Sequence, residues 1–580
     1  MKRRSLLWIA AALAAVAVLL AVSGGVRATV GGFRISARSP VATSIAAFGM
    51  AAAWWMLARR AKAVDADLDA AWSALDRHSA SLIVSVAAIS GITAAVFATA
   101  SAAGADASGY LSEAAQWASG QLLHRDALAA AIGATDSWLT APLGWRPGPA
   151  PGLQSPTYPP GLPLLMSVPH ALGGTAAASF VVTLSAAVTV WATGILARRL
   201  AGGIAGVVAA VAIAASPIFL FQSIQPMSDV PVTAAWILTW VLLVGEQGAG
   251  IGNQGTGGRL FCAGVSCAMA VLIRPNLAPL AAVPLFVIGF STRRLVTFSL
   301  PVAVAGVVLM WLQWQWYGSP VRSGYGAADE LFAFGNVGAN ASRYFTWLVT
   351  TSPVLLTAVA GVAIVWHHTT TKALAVFAVL VVTAYLVYAV FDVWSYLRFL
   401  LPALAVVAVF AGAAIAAGLN RLPDSMRVPG ALAVVLALTA HGVAQARALD
   451  TFRLAEQQRR VSQTAHFVAS LPVNAVIIAG EQSGSLRYYT GRSILRWDAA
   501  SPEALWSAIV ALNAAGRPVV IALDAWENEP FRARHGSVPA ASLEWPPAFE
   551  AGTSHRTRVW KLSDRDRFLR GEQLVTERKP

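Results

Sequence analysis

Residues 79–103 read SASLIVSVAAISGITAAVFATASAA, and residues 104–117 continue GADASGYLSEAAQW. The first stretch carries no charge and is long enough to cross a hydrocarbon core, which takes about 20 apolar residues. The second places Asp106, Tyr110 and Glu113 where such a helix would leave the bilayer. Ionisable groups at that depth are costly and mark function by default. The junction therefore reads as a membrane helix opening into a polar mouth.

The rest of the chain agrees with this class. It has 580 residues, 57% hydrophobic and only 12% charged, and a mean hydropathy of +0.60; a soluble chain carries about 25% charged residues. Apolar runs at roughly 6–24, 41–58, 80–103, 178–197, 203–221, 231–246, 259–273, 277–292, 295–313, 345–365, 373–391, 399–418 and 428–445 predict about thirteen transmembrane helices. The expected fold is an all-α polytopic membrane protein. MKRRSLLWIAAALAAVAVLLAVSGG has the look of a signal peptide, yet reads better as an uncleaved first helix, because further spans follow it.

Charge sets the orientation. The net charge is +14, but the part from Gln445 onward holds 18 Lys+Arg against 14 Asp+Glu, so most of the excess lies in short loops between apolar runs. With the N-terminus in the cytoplasm, the inside loops hold ARRAK (58–62), ARRL (197–200), STRR (291–294), HHTTTK (367–372) and NRLPDSMR (420–427). These are denser in Lys and Arg than the outside loops, as the positive-inside rule requires. The loop 25–40, with Arg27, Arg34 and Arg38 outside, runs against the trend. No basic stripe interleaved with aromatics points to nucleic acid.

YPPGLPLLMSVPHALGG (158–174) is apolar but short and holds four prolines, so it reads as an interfacial or re-entrant segment. Were it to cross, every later loop would change sides and the Arg-rich loops would face out. An odd number of spans leaves the C-terminal part outside. There NAVIIAG (474–480), RPVVIALD (517–524) and HRTRVWKL (555–562) read as strands, while 454–471 and 501–516 read as helices. The expected organisation is an extra N-terminal hairpin and cytoplasmic segment (1–79), a transmembrane core (80–445) with a long first outer loop (104–177), and a small extracytoplasmic α/β domain (446–580). Within that domain, SGSLRYYTGRSILRWD (483–498) reads as a strand-and-turn region rich in Arg and Tyr.

This topology gathers ionisable groups on the outer side. They are Asp106, Tyr110 and Glu113, Asp229 in QPMSDVP, and Arg274 in RPN. A loop at about 314–344 adds Arg322, Tyr325, Asp329, Glu330 and Arg343, and FDVWSYLRFLLP adds Asp392, Tyr396 and Arg398. One polar cavity opening to that face would explain the set. Each member also has a plainer role: Asp106 and Asp229 as helix caps, Arg274 and Arg398 snorkelling to headgroups, Tyr110 and Tyr396 in an interfacial aromatic belt. His367 and His368 fall inside, and His124 and His170 outside without a second ligand at helical spacing. Cys262 and Cys267 share one apolar run and imply neither a disulfide framework nor a metal site.

The order of motifs resembles a known family. A helix is followed by Asp-x-x-x-Tyr (106–110), then a long loop ending in Tyr-Pro-Pro-Gly-x-Pro-Leu (158–164). Next come Ser-Asp-x-Pro (228–231), Arg-Pro-Asn (274–276) and Tyr-x-Arg-x-Leu-x-Pro (396–402). This is similar to the GT-C membrane glycosyltransferases, and most of all to family 39, which includes protein O-mannosyltransferases and lipid A aminoarabinose transferases. The resemblance covers about residues 80–445. It implies transfer of a sugar from a polyprenyl-phosphate donor to an extracytoplasmic glycan, lipid or protein, at the plasma (inner) membrane. It implies Asp106 as the base, with Asp229 lining the cavity; Asp229 and Glu113 are the next candidates for the base. It also implies basic residues on later loops at the lipid phosphate, of which Arg274, Arg322, Arg343 and Arg398 are the candidates. Since aromatic faces pack against sugars, Tyr110 and Tyr158 are expected to shape the sugar pocket. The aminoarabinose branch carries Glu-Lys-Pro where this chain has Tyr158-Pro159-Pro160. Its metal-binding carboxylate is therefore missing; no metal is carried over, and a divalent ion stays an open question.

The chemistry suits these residue types without the resemblance. A carboxylate can take the proton of an attacking hydroxyl. Arginine offers a permanently charged fork of donors to a leaving phosphate. The alternatives are a transporter or flippase of lipid-linked sugar, which would spread polar groups through the midplane in paired halves, and a catalytically inactive relative acting in envelope assembly.

Overall fold

The computed structural model describes residues 3–23, 26–30, 33–37, 40–132, 136–245, 256–326, 331–553 and 555–580. Seven helices are long and apolar enough to cross a membrane: Pro40–Arg60, Ser79–Phe97, Gly161–Ala201, Thr292–Tyr317, Thr369–Leu386, Trp394–Asn420 and Asp424–Ala448. Two bent pairs raise the number to nine if each counts as one span. Gly203–Ala214 with Pro217–Ser223 turns by 64°, and Phe334–Thr351 with Pro353–Ile364 by 109°. Both bends fall at a proline, which lacks the N–H to continue the ladder. Three further apolar helices, Asp229–Leu243, Gly257–Ile273 and Pro275–Ile288, are too short by this measure.

Of the thirteen runs expected, nine fall on these long helices and bent pairs, three on the shorter apolar helices and one on the helix Arg3–Ser23, and several segments differ locally from their sequence reading. The run 277–292 is not one helix. Pro275, Pro279 and Pro284 hold it in 3-10 turns to Ala282 and a single helical turn at Leu285–Ile288, ended by Gly289 at φ 76°. The segment 158–174 is helical from Gly161 and joins the following span across a break at Gly173 and Gly174, where φ is −151° and 63°. In its first half Leu164, Leu165, Val168 and Leu172 stay exposed along one side, as on a helix lying in an interface. The expected loop at 314–344 is shorter than its sequence implies: one helix runs on to Tyr317, and Val337–Thr351 is helical, which puts Arg343 on a helix.

At the N-terminus, the 21-residue helix Arg3–Ser23 is tied down by one carboxylate. Buried Asp67, on the helix Val64–Arg77, accepts from Arg3 Nε at 2.5 Å, Arg3 Nη2 at 2.8 Å and Arg4 Nε at 2.9 Å. Trp54 Nε1 adds a bond at 3.3 Å. These charge-assisted bonds hold the carboxyl down at about 2.

The C-terminal part is a six-stranded mixed sheet with helices on both faces. Its strand order is Glu577–Lys579, Phe549–Ala551, Thr557–Lys561, Val519–Asp524, Val476–Ala479, Ser493–Arg496. Val476–Ala479 runs parallel to both neighbours, and Thr557–Lys561 antiparallel to both of its own. Every residue of VIIA and VVIALD is buried, which is why these strands read as unbroken apolar runs. Alternate side chains feed two cores, one with Val476, Ile478 and Ile521, the other with Ile477, Val520 and Phe549. The stretch 483–490 is not strand and turn but a helix, Ser483–Thr490, crossing between two parallel strands.

Candidate active site

The helix Gly104–Ala118 starts at a glycine with φ 76°, and Asp106 lies in its first turn. Asp106 Oδ2 accepts a hydrogen bond from Arg398 Nη2 at 2.9 Å. Arg398 sits in the 3-10 turn Trp394–Leu400 that leads into the apolar helix Leu401–Asn420. Its guanidinium lies over the rings of Tyr396 and Phe399, 5.0 and 5.3 Å from their centroids. Its side chain is only 15% exposed, and Nε is buried without a hydrogen-bond partner.

A second ion pair stands beside the first. Asp229, in the first turn of Asp229–Leu243, pairs with Arg274 at the end of Thr256–Ile273. Both are buried, and Asp229 Oδ2 has no partner. Arg274 lies over the same Phe399 ring at 5.4 Å. It also donates through Nη1 to the Tyr385 hydroxyl at 3.1 Å, as does Asn276 Nδ2 at 3.1 Å. Both guanidinium groups thus lie against the one Phe399 ring.

Three tyrosines line the same region. Tyr110, one turn after Asp106, donates its hydroxyl to Ser228 Oγ at 2.9 Å and so ties this helix to that of Asp229. The Tyr110 and Tyr158 rings lie 4.7 Å apart, and Tyr158 and Tyr325 5.8 Å. Burial, then the charge of Asp106, raises the pKa of both Tyr110 and Tyr158, so they act as neutral phenols. Gly109 makes room for this: a Cβ there would stand 2.3 Å from the Tyr158 ring.

The structure therefore brings together Asp106, Tyr110, Tyr158, Asp229, Arg274 and Arg398. It sets the other candidates apart. Arg343 pairs with the exposed Asp392. Arg322 lines a separate cavity of about 240 Å³ with Trp138, Arg146 and Tyr317. Asp329 and Glu330 lie outside the described residues. His170 Nε2 is 2.9 Å from the Tyr488 hydroxyl. Among the described residues, no group of three or more His, Cys, Asp and Glu is placed to hold a metal. Phe399, Tyr385 and Asn276 complete the site without having been singled out individually. Asn276 could have been found in Arg-Pro-Asn, whereas aromatics inside apolar runs give no signal.

Glu113 is buried two turns beyond Asp106. Its Oε1 accepts from Trp117 Nε1 at 3.0 Å and its Oε2 has no partner. Burial pushes its pKa up to about 8 from an ordinary 4.5. Between these values the folded chain binds a proton that the unfolded chain does not, so stability falls as pH rises from about 4.5 to 8. Thermal unfolding in lipid at pH 5 and pH 9 tests this. The midpoint is expected to drop at the higher pH, and Glu113→Gln to flatten that dependence.

The C-terminal sheet holds the site from the other side through the helix Ser483–Thr490. The Tyr489 hydroxyl accepts from Ala102 N at 2.9 Å, and Ser485 Oγ donates to Ala102 O at 2.5 Å. Ser483 Oγ accepts from Leu143 N at 3.0 Å, and Arg487 Nη1 donates to Gln154 Oε1 at 2.5 Å. Gly484 permits the close approach, since a Cβ would lie 2.4 Å from Leu143 O.

Comparison with known proteins follows the same architecture. Residues 157–316 match the family model described as dolichyl-phosphate-mannose-protein mannosyltransferase. No curated protein sequence matches the chain. Among solved structures, ArnT from Cupriavidus metallidurans bound to undecaprenyl phosphate is similar with a TM-score of 0.53 at 13% identity, over 83% of this chain and 98% of that one. The same protein in the apo state gives 0.52 at 14%, over 83% and 97%. The Archaeoglobus fulgidus oligosaccharyltransferase tethered to an acceptor peptide gives 0.47 at 14%, over 81% and 73%. With its apolar spans, the polar mouth at their ends and this likeness along most of its length, the chain is a multi-pass membrane protein with the fold of the GT-C glycosyltransferases.

Proposed function

We propose that this chain is a glycosyltransferase that moves a sugar from a polyprenyl-phosphate donor to a hydroxyl-bearing acceptor on the outer face of the plasma (inner) membrane. In this reading residues 80–445 form the catalytic core, 1–79 an added N-terminal unit and 446–580 an extracytoplasmic domain. The observation that carries it is the Asp106–Arg398 pair. Arg398 spends one N–H on the Asp106 carboxylate and keeps a buried Nε without a partner. An unmet buried donor on a cation is expensive unless a ligand meets it, and an anionic phosphate is the ligand that suits it. The ArnT structure that this chain resembles holds undecaprenyl phosphate, which supports the same class of donor here.

The proposed reaction balances. The acceptor O–H gives its proton to Asp106 as its oxygen attacks the anomeric carbon, and the bond from that carbon to the phosphate oxygen breaks. The phosphate leaves as a lipid-linked monoester with one more negative charge. Arg398 faces that charge, and Arg274, over the same ring of Phe399, adds a second positive field. Asp229 holds Arg274 in place, and the tyrosines Tyr110 and Tyr158 offer faces and hydroxyls to the sugar.

The test is the fate of labelled polyprenyl-phosphate mannose, then of other polyprenyl-phosphate sugars, with the purified chain in lipid vesicles and a detergent extract of cell envelope as the source of acceptor. The expected result is free polyprenyl phosphate and loss of the intact donor. Movement of intact donor across the bilayer would identify a flippase instead, and an unchanged donor in every case a non-catalytic relative.

A further inference from the structure

The route by which the C-terminal sheet reaches the site begins at Glu481. After the strand Val476–Ala479, Gly480 passes so close to Glu527 that a Cβ there would lie 2.3 Å from its Oε1. The Glu481 N–H donates to that same Oε1 at 2.9 Å. Glu527 is itself fixed, with Trp497 Nε1 at 3.1 Å and Asp524 N at 2.8 Å. The backbone at 481 is therefore pinned by a buried carboxyl group, and the clamp of Ser485 and Tyr489 on Ala102 fixes the far side.

Between these anchors the Glu481 side chain reaches toward the start of the Asp106 helix. Its Oε1 lies 3.6 Å from where a Cβ would stand on Gly104, two residues before Asp106. Among the described residues nothing donates a hydrogen bond to that side chain or pairs with it in an ion pair. The nearby cation, Arg460, is engaged by Asp524 at 2.5 Å and Thr557 at 2.9 Å. Burial raises the Glu481 pKa, Asp524 and Asp106 push it the same way, and Arg460 opposes. A half-buried carboxyl group with no partner, near two other carboxylates, is disfavoured in its charged form. Two rigid contacts nevertheless hold it there.

We propose that Glu481 contacts the substrate, accepting hydrogen bonds from hydroxyl groups of the incoming acceptor beside Asp106, so that the C-terminal domain completes the reaction site. This rests on the glycosyltransferase reading above. The acceptor is the better partner than the donor because the two arginines that suit the lipid phosphate stand on the membrane helices, whereas Glu481 approaches from the C-terminal sheet. A carboxylate able to take two donors at once suits vicinal hydroxyls.

The test uses the full chain in lipid with labelled polyprenyl-phosphate sugar, and a detergent extract of cell envelope titrated as the source of acceptor. For Glu481→Gln, the apparent KM for the extract is expected to rise about tenfold to a hundredfold. Its kcat and donor KM should stay within about threefold of wild type, and its unfolding midpoint should hold or rise, since the substitution removes an unpaired charge. Tyr489→Phe, which removes only a clamp, is expected to lower the unfolding midpoint without raising the acceptor KM selectively. An unchanged acceptor KM in Glu481→Gln, or equal losses toward donor and acceptor, would overturn the proposal while leaving the glycosyltransferase reading intact. Wild type that releases no lipid phosphate from any donor would overturn that reading and this proposal together.

Discussion

Asp106→Asn is expected to lower turnover of the polyprenyl-phosphate donor by about 10² to 10⁴, the usual loss when a positioned base is removed. The substitution keeps the shape and leaves an amide oxygen that can still accept from Arg398 Nη2, now at 2.9 Å from the carboxylate. It takes away the group that would receive the acceptor proton. Binding of undecaprenyl phosphate should stay near the wild-type value or tighten, because Arg398 then has no competing carboxylate. Single-turnover measurement of released lipid phosphate, beside a binding isotherm, separates the two effects. A loss of less than about tenfold, below what a base supplies, would move the base elsewhere, with Asp229 and Glu113 next in line.

The second large effect concerns stability. Arg274→Met is expected to destabilise the chain by about 3 to 5 kcal/mol, because it leaves the Asp229 carboxylate buried without its cation. The Asp229 side chain is only 1% exposed and Arg274 10%, so water cannot replace the lost partner. The double variant Asp229→Leu with Arg274→Met is expected to recover at least half of the loss, since an apolar pair removes both buried charges. Thermal unfolding of the two variants and wild type in one lipid composition reads this directly. A double variant less stable than Arg274→Met would contradict it. Activity is expected to be low in both, because the part of the positive field on the leaving phosphate that Arg274 supplies is gone.

The sequence carried the parts of this molecule that depend on composition. The charge-free run 79–103 marked the helix Ser79–Phe97 because a helix meets all its backbone hydrogen bonds within itself in lipid. The strands 476–479 and 519–524 were legible because both faces are covered and every side chain but Asp524 is apolar. The run 277–292 misled because its composition fits a span, whereas the spacing of Pro275, Pro279 and Pro284 decides its backbone. For the site, the acidic and basic residues stood out one by one, but not their partners. Asp106 and Arg398 are 292 positions apart, and neither propensity nor periodicity reaches across that distance. Arg343 and Arg322 look equal to Arg398 in the sequence, yet one neutralises an exposed Asp392 and the other lines a different cavity. Glu481 was hidden because 483–490 reads as strand and turn, so its approach to Gly104 could not be seen.

Arg398 and Asp106 form the reacting centre in the function proposed above. An experimental structure of the full chain with undecaprenyl phosphate tests it most directly. The phosphate is expected within hydrogen-bond reach of the Arg398 guanidinium, beside Asp106, with the lipid tail between the membrane helices. A phosphate bound instead in the cavity of Arg146 and Arg322, with Arg398 still held by Asp106 alone, would contradict it.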